Sequence, residues 1–183
     1  AMEEEKVTVD GTTHPLPRPF FVLATQNPVE YEGTYPLPEA QLDRFMFKLS
    51  LGYPSPDDEV AMLARWQHRD PAENLEPVLP VEELVRIQEE VQKVAVSDGI
   101  RRYIVQLVDE TRKHPSIYLG VSPRGALALL RAAQGYAYLQ ERDYLLPDDV
   151  KRLVYDAFAH RLILQPEARM GGLKEKDVLE GIV

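Results

Sequence analysis

From Ser55 onward the chain repeats one local grammar: a capping hydroxyl or a proline, then apolar residues spaced three and four apart. Short amphipathic helices satisfy that pattern and strands do not. At Ser55-Pro56 the hydroxyl can accept an orphan N–H, the proline has none to waste in the first turn, and Asp57, Asp58 and Glu59 complement the positive end of the helix dipole. This predicts a helix to about His68, stopped by Asp70-Pro71 and followed by a proline-bearing linker over 73–79. A second helix over 81–94 carries Leu84, Ile87, Val91 and Val94 in a stripe. Ser97 opens a third, with Ile100, Tyr103, Ile104, Leu107, Val108 and Thr111 along one face. Ser122-Pro123 opens a fourth, to about Arg142, and Pro147-Asp148-Asp149 a fifth whose stripe is Val150, Leu153, Val154, Ala157 and Phe158. Gln165-Pro166 closes the last helix, and Gly171-Gly172 reads as a loosely ordered tail. The expectation is an all-α bundle of five helices.

Upstream the periodicity changes. Lys6 to Val9 alternates with period two, Asp10-Gly11 is a two-residue turn signal, and Thr12-Thr13-His14 returns, so 5–16 reads as a hairpin. Phe20 to Ala24 is a continuous apolar run suited to a strand buried on both faces, ending in Thr25-Gln26-Asn27-Pro28. Ligands of open α/β sheets collect at the carboxyl ends of strands, which puts Asn27 where a nucleotide is expected. Gly33, Pro36 and Pro38 forbid regular structure until Glu39, after which a short helix aims Arg44, and Phe45 to Leu51 reads as a second strand. An amide at a strand end followed by an arginine suits work on a phosphate. Taken singly, each has a plainer reading: Asn-Pro is a common turn starter, and Arg44 can pair with Asp43 or Glu39 nearby. Arg124 sits in the first turn of its helix, where a cation opposes the dipole and invites a functional explanation. Arg161, near the negative end of the fifth helix, needs no ligand.

The Ala-Thr-Gln-Asn-Pro strand end, the run from Glu30 to Phe45 (EYEGTYPLPEAQLDRF) and Val-Ser-Pro-Arg-Gly at 121–125 resemble a MoxR-type AAA+ ATPase, over nearly the whole chain. The resemblance implies an α/β remnant of a AAA+ core over residues 1–53, with a pre-sensor hairpin, followed by a helical lid over 54–183. It implies that Asn27 is sensor 1, Arg44 the arginine finger reaching a neighbouring subunit's nucleotide, and Arg124 sensor 2. It further implies hydrolysis of ATP with magnesium by a homo-oligomeric, hexameric ring that remodels or assembles protein partners, among them a protein with a von Willebrand factor A domain.

No Gly-Lys-Ser/Thr occurs in the chain, so a phosphate-cradling loop of the Walker A type cannot be built from these residues. ATP and magnesium therefore both require an amino-terminal portion carrying that loop and an acidic metal-holding strand end. The chain is expected to be the carboxyl-terminal part of a longer protein and to lack hydrolytic activity alone, although Ala1-Met2 also fits a cloning remnant. The run Val105 to Glu110 mimics a Walker B strand, but Gln106 interrupts it and its apolar positions continue the helical period of Ile100 and Ile104. Two other readings are a nucleotide-independent helical protein-interaction module from Ser55 onward and a chelatase-type AAA+ subunit.

The formal charge of −9 argues against attraction to nucleic acid, whose binding rests on basic surface. The one dense basic cluster, Arg101, Arg102, Arg112 and Lys113, reads as a solvated helix face. No apolar stretch approaches the length of a membrane span. The absence of cysteine fits the cytoplasm, and His14, His68, His114 and His160 have no spacing suited to zinc.

Overall fold

The computed structural model describes residues 4–26, 37–67 and 75–183. The hairpin forms as its alternation and turn require: β1 (Lys6–Val9) pairs antiparallel with β2 (Thr12–Pro15), Val9 opposite Thr12. Asp10 and Gly11 turn the ribbon with φ of 48° and 79°, the left-handed conformations that match a two-residue turn to the strand twist. Both strands are exposed along their length.

The strands expected over 20–24 and 45–51 do not form among the described residues. A strand exists through its ladder, and the first of these segments has no ladder partner there, leaving Phe21 and Leu23 exposed. The second is drawn instead onto the helical part, with the Lys48 N–H donating to the Asp156 carbonyl at 3.0 Å. Between them stands the expected short helix, α1 (Glu39–Leu42).

The helical grammar holds, with shorter boundaries. Helix α2 (Pro56–Trp66) opens with Ser55 Oγ accepting from the Asp58 N–H at 3.2 Å, and α3 (Val81–Val91) follows. Helix α4 (Asp98–Lys113) opens on Ser97 Oγ, which accepts from Ile100 N–H at 3.3 Å, and it contains the whole Walker B mimic. After it come β3 (Ile117–Leu119), α5 (Pro123–Leu139) and α6 (Pro147–Phe158). A 3₁₀ turn, Ala159–Arg161, leads into β4 (Ile163–Leu164), which pairs antiparallel with β3. The chain ends in α7 (Pro166–Met170) and α8 (Glu175–Ile182).

The core lies between α4, α5 and α6, where Ile104, Leu107, Leu129, Ala133, Val154 and Phe158 are buried. Only three of the five expected helices build it. Neither α2 nor α3 buries a residue, and Val60 and Leu63 of α2 are exposed. The side left open is closed by the segment read as a loose tail: Val178 and Leu179 of α8 are 3% and 2% exposed, and α8 packs on α4 and α6. Pro166 thus starts a helix rather than ending one, as a residue without an N–H can at the first helical position.

Candidate functional site

Helix α1 is a single turn, and the two residues after it take opposite directions. The Asp43 side chain is 20% exposed and points into the helical part; Arg44 is exposed. Among the described residues no ion pair joins Arg44 to Asp43 or Glu39, so neither fills the plainer role considered for them, and the Glu4 carboxylate lies within electrostatic reach of Arg44.

Asp43 is claimed by three side chains from the far end of the chain. Arg161 Nε donates to Oδ1 at 2.9 Å, Arg124 Nη1 to Oδ2 at 3.2 Å, and the Ser122 hydroxyl contacts both oxygens at 3.2 and 3.0 Å. Burial opposes ionisation of Asp43, but Ser122, Arg161 and Arg124 outweigh it and hold the carboxyl below its ordinary range. Ser122 therefore does not repeat the role of Ser55 and Ser97. Its side chain makes no capping bond to α5, being directed to Asp43 instead.

Arg161 is the anchor. Its side chain is 2% exposed, and its remaining N–H groups reach backbone carbonyls: Nη2 to Asp43 at 2.9 Å and Phe45 at 2.6 Å, Nη1 to Met46 at 3.3 Å and to Ala157. The five donors of a guanidinium thus meet acceptors, four of them on the segment from Asp43 to Met46. His160 adds Nε2 to the Phe45 carbonyl at 3.0 Å; since a carbonyl only accepts, the proton sits on Nε2. Nδ1 is left buried without a hydrogen-bond partner, and burial pushes the imidazole down to about 4.

Gly125 makes room for this arrangement. A Cβ there would lie 2.4 Å from Val121 Cγ1 and 2.9 Å from Arg161 Cδ, which accounts physically for glycine after Ser-Pro-Arg.

Of the sequence-derived site residues, Arg124 is brought against the turn that carries Arg44, and Asn27 lies outside the described residues. The sequence assigns no site role to Asp43, Ser122 or His160, and Arg161, expected to need no partner beyond the negative end of its helix, is instead the buried partner of Asp43. The available signal was a His-Arg pair embedded in the apolar run Phe158 to Leu164, where a cation needs a buried partner. Three of the four cations in the basic cluster on α4 have partners within the chain: Arg101 pairs with Asp98, Lys113 with Asp109, and Arg112 Nε donates to the Val121 carbonyl at 2.9 Å.

Arg124, 39% exposed at the start of α5, and the outward Arg44 suit contact with phosphate oxygens. No group of three or more carboxylate, histidine or cysteine side chains that could hold a metal ion gathers among the described residues. No described helix is long and apolar enough to cross a membrane.

Residues 109–182 match the AAA lid domain, and residues 1–47 match the ATPase family associated with various cellular activities. The chain is 54% identical over 183 residues to the uncharacterized protein YeaC of Bacillus subtilis, covering all of this chain and 57% of that one. It is 37% identical over 191 residues to Chaperone MoxR1 of Mycobacterium tuberculosis, covering all of this chain and 50% of the relative, and 33% identical to Protein MoxR of Paracoccus denitrificans, over 79% of this chain and 48% of the relative. It spans about half the length of these curated relatives. The crystal structure of an inferred ATPase from Cytophaga hutchinsonii superposes with a TM-score of 0.91 at 39% identity, covering 99% of this chain and 58% of that one.

Proposed function

The chain belongs to the MoxR-type AAA+ ATPases, and from that premise we propose that the intact protein hydrolyses ATP as a homo-oligomeric ring to remodel or assemble protein partners. The ring is a hexamer, and the partners include a protein with a von Willebrand factor A domain. Residues 1–53 belong to the nucleotide-binding core and 54–183 form the lid. Asn27 orients the attacking water as a neutral amide that does not compete as a base. Arg44 supplies positive charge to the triphosphate held by a neighbouring subunit, and Arg124 reads the phosphates bound on its own. When bound, ATP with magnesium supplies the reacting phosphoryl group and the charge neutralisation that these side chains complete. Without a Walker A loop the present chain contributes these groups but does not hydrolyse ATP by itself. Work of this kind belongs in the cytoplasm, where ATP is plentiful.

The observation that carries the reading is the opposite aim of two adjacent residues: Asp43 is bound inward to Arg124 and Arg161, while Arg44 is exposed and outside that cluster. An exposed guanidinium outside its own subunit's buried ion-pair cluster can be offered to the next. Replacing Arg44 by Ala in the intact protein should lower turnover on the order of a thousandfold with ATP affinity largely kept. Turnover within threefold of wild type would overturn the assignment.

A second reading draws on α2, whose Val60, Met62, Leu63 and Trp66 are exposed, and makes the helical part a nucleotide-independent docking module. Arg124→Ala separates the two. Lost ATPase with intact folding supports the sensor, whereas unchanged turnover with lost partner binding supports the module.

A further inference from the structure

Asp43 stands at a junction of two arginines that differ in burial and in the length of their bonds to it. Arg161 is fixed in place: its side chain is 2% exposed, and withdrawing it would take a donor from the Asp43, Phe45, Met46 and Ala157 carbonyls and the closest cation from the carboxylate. Arg124 is 39% exposed and bonds to Asp43 at 3.2 Å, longer than charge-assisted hydrogen bonds usually run. If Arg124 departs, Asp43 still keeps Arg161 and the Ser122 hydroxyl.

We propose that Asp43 is a positioning residue with one permanent and one releasable arginine, acting as the resident anion that a nucleotide phosphate displaces from Arg124. The proposal rests on Arg124 being the phosphate reader. Because Asp43 directly precedes Arg44, and Arg161 also holds the carbonyls of Asp43, Phe45 and Met46, the allegiance of Arg124 alters the restraints on the turn that presents Arg44. The lid's grip on phosphate and the placement of the outward arginine are thereby one linked equilibrium. Differential affinity for two arrangements is what such a link requires, and a carboxylate competing with a phosphate for one guanidinium provides it.

The test is a double-mutant cycle on ATP binding in the intact protein, read by titration with a fluorescent ATP analogue under non-hydrolysing conditions. Asp43→Asn removes the competing charge and should tighten binding about threefold, the worth of a partly exposed ion pair. In an Arg124→Ala background the same substitution should change affinity by less than about a quarter of that effect, because no guanidinium remains to be contested. A general folding defect would weaken binding in both backgrounds. If Asp43→Asn does not fold, Ser122→Ala carries the test: with its hydroxyl gone, the carboxylate holds Arg124 more strongly and binding should weaken, again only where Arg124 is present. Weakening of ATP binding by Arg124→Ala, combined with no tightening from Asp43→Asn, or no Arg124-dependent weakening from Ser122→Ala where that variant is used, overturns the proposal and leaves the phosphate-reading role standing. Unchanged affinity in Arg124→Ala overturns that role itself.

Discussion

Replacing Arg161 by Met would remove one side chain and unfasten two distant parts of the chain from each other. The methionine fills much of the same volume but leaves the Asp43 carboxylate without its closest cation and the Asp43, Phe45, Met46 and Ala157 carbonyls without their guanidinium donor. Breaking a fully buried pair by removing one partner costs about 3 to 5 kcal/mol. Here Asp43 is 20% exposed and retains Ser122 and Arg124, while the Phe45 carbonyl retains His160. The lower end, about 3 kcal/mol, is therefore expected, equivalent to about 6 to 12 °C in Tm for a chain of this size. Urea unfolding of the 183-residue chain followed by far-UV circular dichroism measures it. The midpoint should fall with little change in slope, and Arg161→Lys should lie between, keeping the charge but not the planar fork. A loss under 1 kcal/mol for Arg161→Met would refute the view that Arg161 fastens residues 43–46 to the helices.

Two further outcomes follow from the same corner. His160 is pushed down to about 4 from an ordinary 6.5, so the unfolded chain takes up a proton that the folded chain refuses between those values. Stability should fall by about 3 kcal/mol as pH drops from 6.5 to 4, before the lowered carboxyls Asp43 and Asp149 begin to protonate, and His160→Gln should flatten that window; an unaltered slope would contradict the assignment. Gly125→Ala forces a methyl toward Val121 and Arg161 and should cost about 1 to 3 kcal/mol in the same urea assay, whereas a neutral result would mean that the corner yields more easily than its distances suggest.

The helices were legible because their signals are local. Ser55 and Ser97 cap as their sequence implies, and the stripes on α4 and α6 are the buried faces. The hairpin was legible for the same reason, its turn being set by Asp10-Gly11. What depends on distant partners was not. Phe20 to Ala24 has strand composition, but a ladder needs a neighbour, which composition does not supply. The β3–β4 pair is too short for any period to register, and α8 was discounted because Gly171-Gly172 breaks the pattern ahead of it. Within the site, Arg124 stood out as a cation opposing a helix dipole, a local anomaly. Asp43 and Arg161 did not, because each has an ordinary surface reading and their partnership spans 118 positions.

Subunit mixing tests most directly whether Arg44 works on another subunit's nucleotide. Arg44→Ala and Asn27→Ala versions of the intact protein, each nearly inactive alone, are combined in equal amounts and allowed to exchange. Sites pairing an unaltered Asn27 with an unaltered Arg44 from the adjacent subunit then reappear, and about a quarter of wild-type turnover is expected from random assembly of a ring. Turnover that stays at the level of the separate variants, with mixed rings demonstrated by native mass spectrometry, would contradict it.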